Sequence, residues 1–478
     1  MLPTIKSRVH DIIRHAIALA LLVTVFSAPT RAQSGVYAYF NDDPVTLLGS
    51  LSADFTTYVM SNPSISGITV VISWQKYDVG TVTSGPVLNI NVTAPTLRTL
   101  DADMASIAGS SKKINLIVWA GTASGPGGAN SSTPAYIFDT AWPMNCVSLT
   151  ICSTTVGAVD TCDCHNYHGS KWPTPLGSKC ANANSTAFDG GGVPAAWEQP
   201  FYLAYENWLG KLLSYYNANN TSGSNIRTQI GYIRIGVGTG GGSVVACPSV
   251  EKGIFMGGNT APNPPLDETV WRNYNNSVYA SVAQSSPTPT MILEASPFGG
   301  LTLGMSDGNT PLSWADDVAQ VAIANGLGIG AESLNGTSDQ GDPLLYSQIQ
   351  PCSNDWCGLF NSYYSISPMR SLQTITPTNP NCLNQPTSCN GTGSLVTVLP
   401  FGTQRRATTF EIYYNDLLCA YDSDNYADST YCPLISPGVY LAPFLPYQQA
   451  LANAALLQPN STADAQGKTS LSGSSSIH

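Results

Sequence analysis

Charge is the scarcest commodity in this 478-residue chain: Asp, Glu, Lys and Arg together make up 10% of it, where roughly 25% is usual. The charges present are mostly negative, 30 acidic against 19 basic, for a net charge of −11. That shortage argues against nucleic acid as a partner, because binding it takes clustered Lys and Arg to displace counterions from phosphate. Histidine is nearly missing as well. Of five, His10 and His15 lie near the start and His478 is the last residue, which leaves His165 and His168. No Ser/His/Asp set with separate strand-end placement is visible, so serine-hydrolase chemistry has little support. No apolar run reaches the ~20 residues of a membrane span. There is no Gly-x-Gly-x-x-Gly turn opening a helix after the first strand, and the glycine-rich run Gly236–Ser243 lacks a following Gly-Lys-Ser/Thr. Dinucleotide and phosphate-loop readings lose their main signal, and nothing calls for a cofactor or a metal.

The start of the chain does carry a signal. Lys6, Arg8 and Arg14 precede an apolar stretch from Ala16 to Phe26, which ends in Ser27, Ala28 and Pro29. A basic segment, a short apolar core and small residues before a cut form a secretory signal peptide. Thr30-Arg31-Ala32 places the mature start at Gln33. Export to an extracellular or periplasmic space is therefore expected. Removing residues 1–32 takes away four basic residues and one acid, so the mature chain carries −14. With so few charges, its surface must be built from Ser, Thr, Asn, Gly and Tyr, which suits neutral, hydroxyl-rich ligands.

All twelve cysteines fall between Cys146 and Cys432, and an even number in an exported chain points to disulfides. Short loops suggest Cys352 with Cys357, Cys382 with Cys389 and Cys419 with Cys432. The remaining six, Cys146, Cys152, Cys162, Cys164, Cys180 and Cys247, allow 15 pairings. A metal knuckle around Cys162-Asp163-Cys164-His165 and His168 is the weaker alternative. Asn-X-Ser/Thr sequons occur at Asn91, Asn130, Asn184, Asn219, Asn275, Asn335 and Asn390 among others, as an Asn- and Ser-rich chain produces by chance.

Organisation follows from alternation. Short β-branched runs at Gly35–Phe40, Ile68–Trp74, Ile114–Ala120, Tyr232–Val237, Thr290–Ala295, Leu327–Glu332, Ser371–Ile375 and Thr408–Tyr413 read as eight strands. Helical stretches fall between them, near Ser52–Met60, Thr96–Ile107, Ala195–Tyr216, Val270–Ala283 and Trp314–Asn325. Strands that alternate with helices imply parallel βαβ units. Apolar runs such as Ile68-Thr69-Val70-Val71-Ile72 imply burial on both faces of the sheet. Eight such units favour an α/β fold of the closed (β/α)8 TIM-barrel type. The barrel domain spans 33–459, with a long disulfide-containing insertion after strand three at about 121–194, and a Ser/Gly-rich disordered tail at 460–478. An ordered insertion of that length reads as a lid or wall over the barrel mouth.

Only seven glutamates are present, and three sit at or near predicted strand ends: Glu294, Glu332 and Glu411. A carboxylate beside an apolar strand is costly unless it is paired, hydrogen-bonded or open to the mouth. Carboxylates converging on one cleft are what glycosidic hydrolysis uses, one as acid and one as nucleophile or base. The competing reading is a structural ion pair at the barrel rim. For Glu411 it is the start of a helix running through Asp416. Trp74, Trp119, Trp142 and Trp172 are candidate platforms for sugar faces, each weighed against ordinary packing.

The segment Gly67–Trp74 followed by Gly80, and the helix of Pro200–Tyr216 followed by Ile230–Gly236, resemble the second strand, third helix and fourth strand of the large superfamily of (β/α)8-barrel retaining glycoside hydrolases. The resemblance covers most of residues 35–425. It implies an acid/base glutamate at the end of strand four and a nucleophile at the end of strand seven. Here strand four runs into Gly240-Gly241-Gly242-Ser243 and strand seven offers Gln373. Three alternatives follow: the pair has moved to Glu294 and Glu332, the strand count is off by one, or the barrel binds without catalysing. The reading adopted is a secreted carbohydrate-active glycoside hydrolase-like protein acting on a poly- or oligosaccharide, with Glu332 as nucleophile or base and Glu294 as acid. The other reading is a non-catalytic glycan-binding or cell-surface barrel.

Overall fold

The computed structural model describes residues 34–40, 55–90, 107, 110–120, 133–138, 199–217, 229–236, 268–285, 292–295, 312–334, 369–374, 378, 393–404, 407–421, 434–436, 439–440 and 444–456. Eight of its strands are β1 (Gly35–Phe40), β2 (Gly67–Ser73), β3 (Lys113–Trp119), β4 (Ile230–Arg234), β5 (Ile292–Ala295), β6 (Gly328–Leu334), β7 (Arg370–Thr374) and β8 (Thr409–Tyr413). They pair in sequence order, all parallel, and β8 closes on β1 from Gly35↔Thr409 to Tyr39↔Tyr413. The (β/α)8 expectation, with its strand count, holds. A separate antiparallel pair, β9 (Leu434–Ser436) and β10 (Val439–Tyr440), follows β8.

Beyond a one-turn helix at Trp74–Tyr77, the helices among the described residues are α1 (Gln199–Asn217), α2 (Glu268–Ser285), α3 (Leu312–Ala324), α4 (Leu395–Gln404), α5 (Tyr414–Tyr421) and α6 (Leu445–Leu456). None of the described helices is long and apolar enough to cross a membrane. Each helix seats one apolar stripe on the sheet. In α1, for instance, Phe201, Tyr205, Trp208, Leu212 and Tyr216 recur at helical spacing and are all buried. The region expected to be helical near Ser52–Met60 is a π-helical turn at Thr56–Met60. In the insertion after β3 the described part is a 3-10 turn at Ala135–Phe138. Residues 121–132 and 139–194 of that insertion, and residues 1–32 and 460–478, where the sequence suggests a signal peptide and a tail, lie outside the described residues. So do eleven of the twelve cysteines; Cys419 is buried in α5.

Strand residues alternate between two environments, as a period of two requires. On β2, Ile68, Val70 and Ile72 join the large apolar cluster under the helices, while Thr69 and Val71 fall on the opposite face, toward the barrel axis. On β8, Phe410 and Ile412 face the helices, and Thr409, Glu411 and Tyr413 the axis. Barrel interiors of this type are commonly filled with Val, Ile and Leu. This one is not. Thr69, Asn115, Arg234, Ser371, Gln373, Thr409 and Glu411 are all buried along strand faces opposite the helical core. The close fit extends to glycine: a Cβ on Gly231 would stand 2.3 Å from Asn115 Oδ1.

Candidate active site

Arg234 ends β4 and is fully buried, as is Glu411 in the middle of β8. Its guanidinium donates to Glu411 Oε2 at 2.5 Å and to Gln373 Oε1, on β7, at 2.7 Å. The Tyr232 hydroxyl, two residues before Arg234 and on the same strand face, donates to Glu411 Oε1. Burial pushes the Glu411 carboxyl up, opposed by a hydrogen bond with the Thr69 side chain, while the Arg234 guanidinium beside it supplies the counter-charge of its ionised form. Burial, and then the Glu411 charge, push the Tyr37 hydroxyl up in turn. One polar knot therefore ties β1, β2, β4, β7 and β8 together across the barrel axis.

The knot decides one of the three alternatives left by the sequence. With the strand count established, the ends of strands four and seven carry Arg234 and Gln373, bonded to each other. Neither position offers a carboxylate, so the pair implied by the superfamily resemblance is absent from its usual places.

Glu294 and Glu332 lie on neighbouring parallel strands, β5 and β6, as expected. The register sets Glu294 beside Arg234 on one side and Gly328 on the other. Glu332 is four residues beyond Gly328, which at ~3.3 Å per residue places it roughly 13 Å further along the sheet toward the mouth. An irregularity in the β6–β7 register falls between Ala331 and Leu334, around Glu332. Glu294 is thus level with the Arg234 knot, and Glu332 stands near the rim.

Above the knot lies an aromatic collar. Tyr39 at the end of β1 and Tyr413 at the end of β8 meet edge to face with ring centroids 5.0 Å apart. Trp119, which ends β3, packs with them through Val71 and Ile117. It is half-buried, and its buried indole N–H has no acceptor among the described residues. Trp119 therefore sits where a platform at the mouth would be.

Trp74 does not. It follows β2 in a one-turn helix (Trp74–Tyr77), is fully buried, and stacks among Phe201, Tyr205 and Trp208 of α1. Its indole N–H donates to Asp78 Oδ2 at 2.9 Å. All of its surface goes to the core, which leaves no ring face for a ligand. Trp142 and Trp172 lie outside the described residues.

Asp78 itself was not singled out in the sequence. It accepts from Trp74, from the Tyr136 hydroxyl in the loop after β3, and from the backbone N–H groups of Gly80 and Val87. Four donors on one carboxylate fix the loop after β2 against the loop after β3. Arg234 was missed too, although Gly231-Tyr232-Ile233-Arg234-Ile235 shows polar and apolar residues alternating in a strand buried on both sides. Among the described residues no group of His, Cys, Asp and Glu is arranged to hold a metal ion.

No family model and no curated protein matches the chain. Solved structures do. The catalytic domain of β-amylase from Paenibacillus polymyxa is 11% identical, with a TM-score of 0.42 over 89% of this chain and 99% of that one. The exo-β-1,4-mannosidase Op5Man5 from Opitutaceae bacterium strain TAV5 is 8% identical, with a TM-score of 0.41 over 90% of this chain and 61% of that one. TcOYE with pHBA is 12% identical, with a TM-score of 0.40 over 82% and 89%. Likenesses of this size leave the chemistry to be argued from the residues themselves.

Proposed function

We propose that this chain is an exported carbohydrate-active barrel protein that receives a sugar ring at the half-buried collar residues Trp119 and Tyr413, which Tyr39 backs from within. The observation that carries the reading is the collar itself. Aromatic rings offer flat apolar faces, which suit the C–H faces of sugars. A chain with few charges and many hydroxyl and amide side chains suits such a ligand. Within this reading, hydrolysis of a poly- or oligosaccharide falls to Glu332 at the rim, as nucleophile or base, with Glu294 below it as acid. For the two carboxyl groups to reach the 5–9.5 Å separation that glycosidic chemistry uses, both side chains must lean along the strands toward each other.

A specific observation favours the second reading, a glycan-binding barrel without catalysis: Arg234 and Gln373 occupy the two strand ends where the superfamily places its carboxylates. One experiment separates the two. A broad glycan panel is screened for binding and for hydrolysis with the wild type, Trp119→Ala and Glu332→Gln. Trp119→Ala is expected to weaken binding about tenfold, or about 1.4 kcal/mol. Glu332→Gln is expected to abolish hydrolysis while shifting the melting temperature by less than about 2 °C. Binding without hydrolysis in the wild type selects the second reading. Binding unchanged in Trp119→Ala overturns the collar.

A further inference from the structure

Five residues after Glu411, on the other side of the sheet, Asp416 is buried in the first turn of α5. Its Oδ1 accepts from the Thr378 backbone N–H at 2.9 Å and lies 2.7 Å from the Thr378 hydroxyl. That hydroxyl is also 2.7 Å from the Tyr447 hydroxyl of α6, which in turn bonds with Ser394 and Leu395 at the start of α4. Four segments therefore meet at one carboxyl: the chain after β7, α4, α5 and α6. Oδ2 has no hydrogen-bond partner among the described residues.

A buried carboxylate needs a cation or a full set of donors, and among the described residues Asp416 has neither. The described elements packed against α5 are β1, β8, α6 and the turn Thr56–Met60. Their titratable groups are Tyr37, Tyr39, Glu411, Tyr413, Tyr447 and Tyr58, and α5 adds Tyr414, Cys419 and Tyr421. Among the described residues of these elements, and of α4, there is no Lys, Arg or His. The N-terminal dipole of α5 favours negative charge, but two turns of helix offset little of the cost of a dry carboxylate with one oxygen unbonded.

We infer that the folded protein carries Asp416 as the neutral acid, and that its ionisation loosens the seat of the C-terminal helix α6. The helix depends on this corner. Beyond the Tyr447 contact, it is held to α5 by the Phe444 N–H on the Cys419 carbonyl at 3.1 Å and by the Gln448 amide on the Ala420 carbonyl at 2.7 Å. Burial is the leading cause that raises the Asp416 carboxyl, from 3.8 to about 7, with the Thr378 hydrogen bonds opposing it. The sign follows from linkage. A group raised on folding stabilises fully below its unfolded value, and that contribution is lost as pH climbs toward and through the folded value. The docking of α6 is therefore firmest below pH 4, weakens from pH 4 to 7, and levels off above.

Hydrogen exchange of the full-length protein tests this, after correction for the intrinsic pH dependence of exchange. The opening constant of α6 is expected to rise tenfold or more between pH 4.5 and pH 8 in the wild type, while the β2–β3 amides stay protected. Asp416→Asn keeps an acceptor for Thr378 and cannot ionise, so its α6 opening is expected to be flat with pH. A flat wild type, or a rise that persists in Asp416→Asn, overturns the inference. Should the variant fail to fold, carboxyl NMR of the wild type decides the matter: an Asp416 midpoint near 4 refutes a neutral acid, and one near 7 upholds it.

Discussion

Glu411 and Asp416 belong to one strand–helix unit, yet they meet the cost of burial in opposite ways. Glu411 points into the barrel, where Arg234, Tyr232 and Thr69 surround it. Asp416 lies outside the sheet against Thr378 and Tyr447, with no described cation near it. A third buried carboxyl, Asp78, uses neither device and is satisfied by four neutral donors. Burial alone says nothing of a carboxyl's role. What surrounds its two oxygens does.

The largest effect that sharpens this contrast is expected inside the barrel. Glu411→Gln leaves the Arg234 guanidinium buried without its counter-charge, and a guanidinium cannot shed its proton; the expected cost is about 3–5 kcal/mol in denaturant unfolding. Arg234→Met is the informative partner, because the carboxyl left behind can take up a proton. Its cost is expected to be smaller at pH 5 than at pH 9. Equal costs at both pH values would mean that Glu411 is not paired through its charge.

A smaller effect is expected at Asp78. Asp78→Asn turns one acceptor oxygen into a donor that faces other donors, at about 1–3 kcal/mol in thermal unfolding. Limited proteolysis should open the loop after β2 before the barrel itself unfolds. The smallest effect concerns the other side of polar burial. Asn275, a sequon by sequence, is buried in α2 and donates its amide to the Trp271 carbonyl at 2.8 Å. Glycopeptide mapping of the folded protein made in a glycosylating host should find Asn275 unmodified, and occupancy there would contradict its burial.

The alternation of β-branched runs with helical stretches was enough to read all eight strands, because a parallel strand buried on both faces must be apolar along its length wherever it can be. The ends of β4 and β7 were legible for the same reason, and so was the absence of glutamate from both. The polar interior was not. Its signal is a period of two, present in Tyr232 and Arg234 of β4, Ser371 and Gln373 of β7, and Thr409 and Glu411 of β8, but alternation also marks a strand with one face in water. The sequence does not say which face closes on itself.

Nor does it say which distant residues share that closed space. Arg234 and Glu411 are 177 positions apart, and only barrel closure of β8 on β1 brings their strands around a common axis. Trp74 shows the same limit from the other direction. A tryptophan just past a strand end has the pattern of a mouth residue, and the approach of α1, more than 120 positions later, makes it core. Local pattern thus determined which segments are strands and where the glutamates sit along them. Tertiary closure decided which carboxyl meets a cation, which is left to a proton, and which aromatic rings still face the mouth, since these depend on distances between segments that the chain order does not contain.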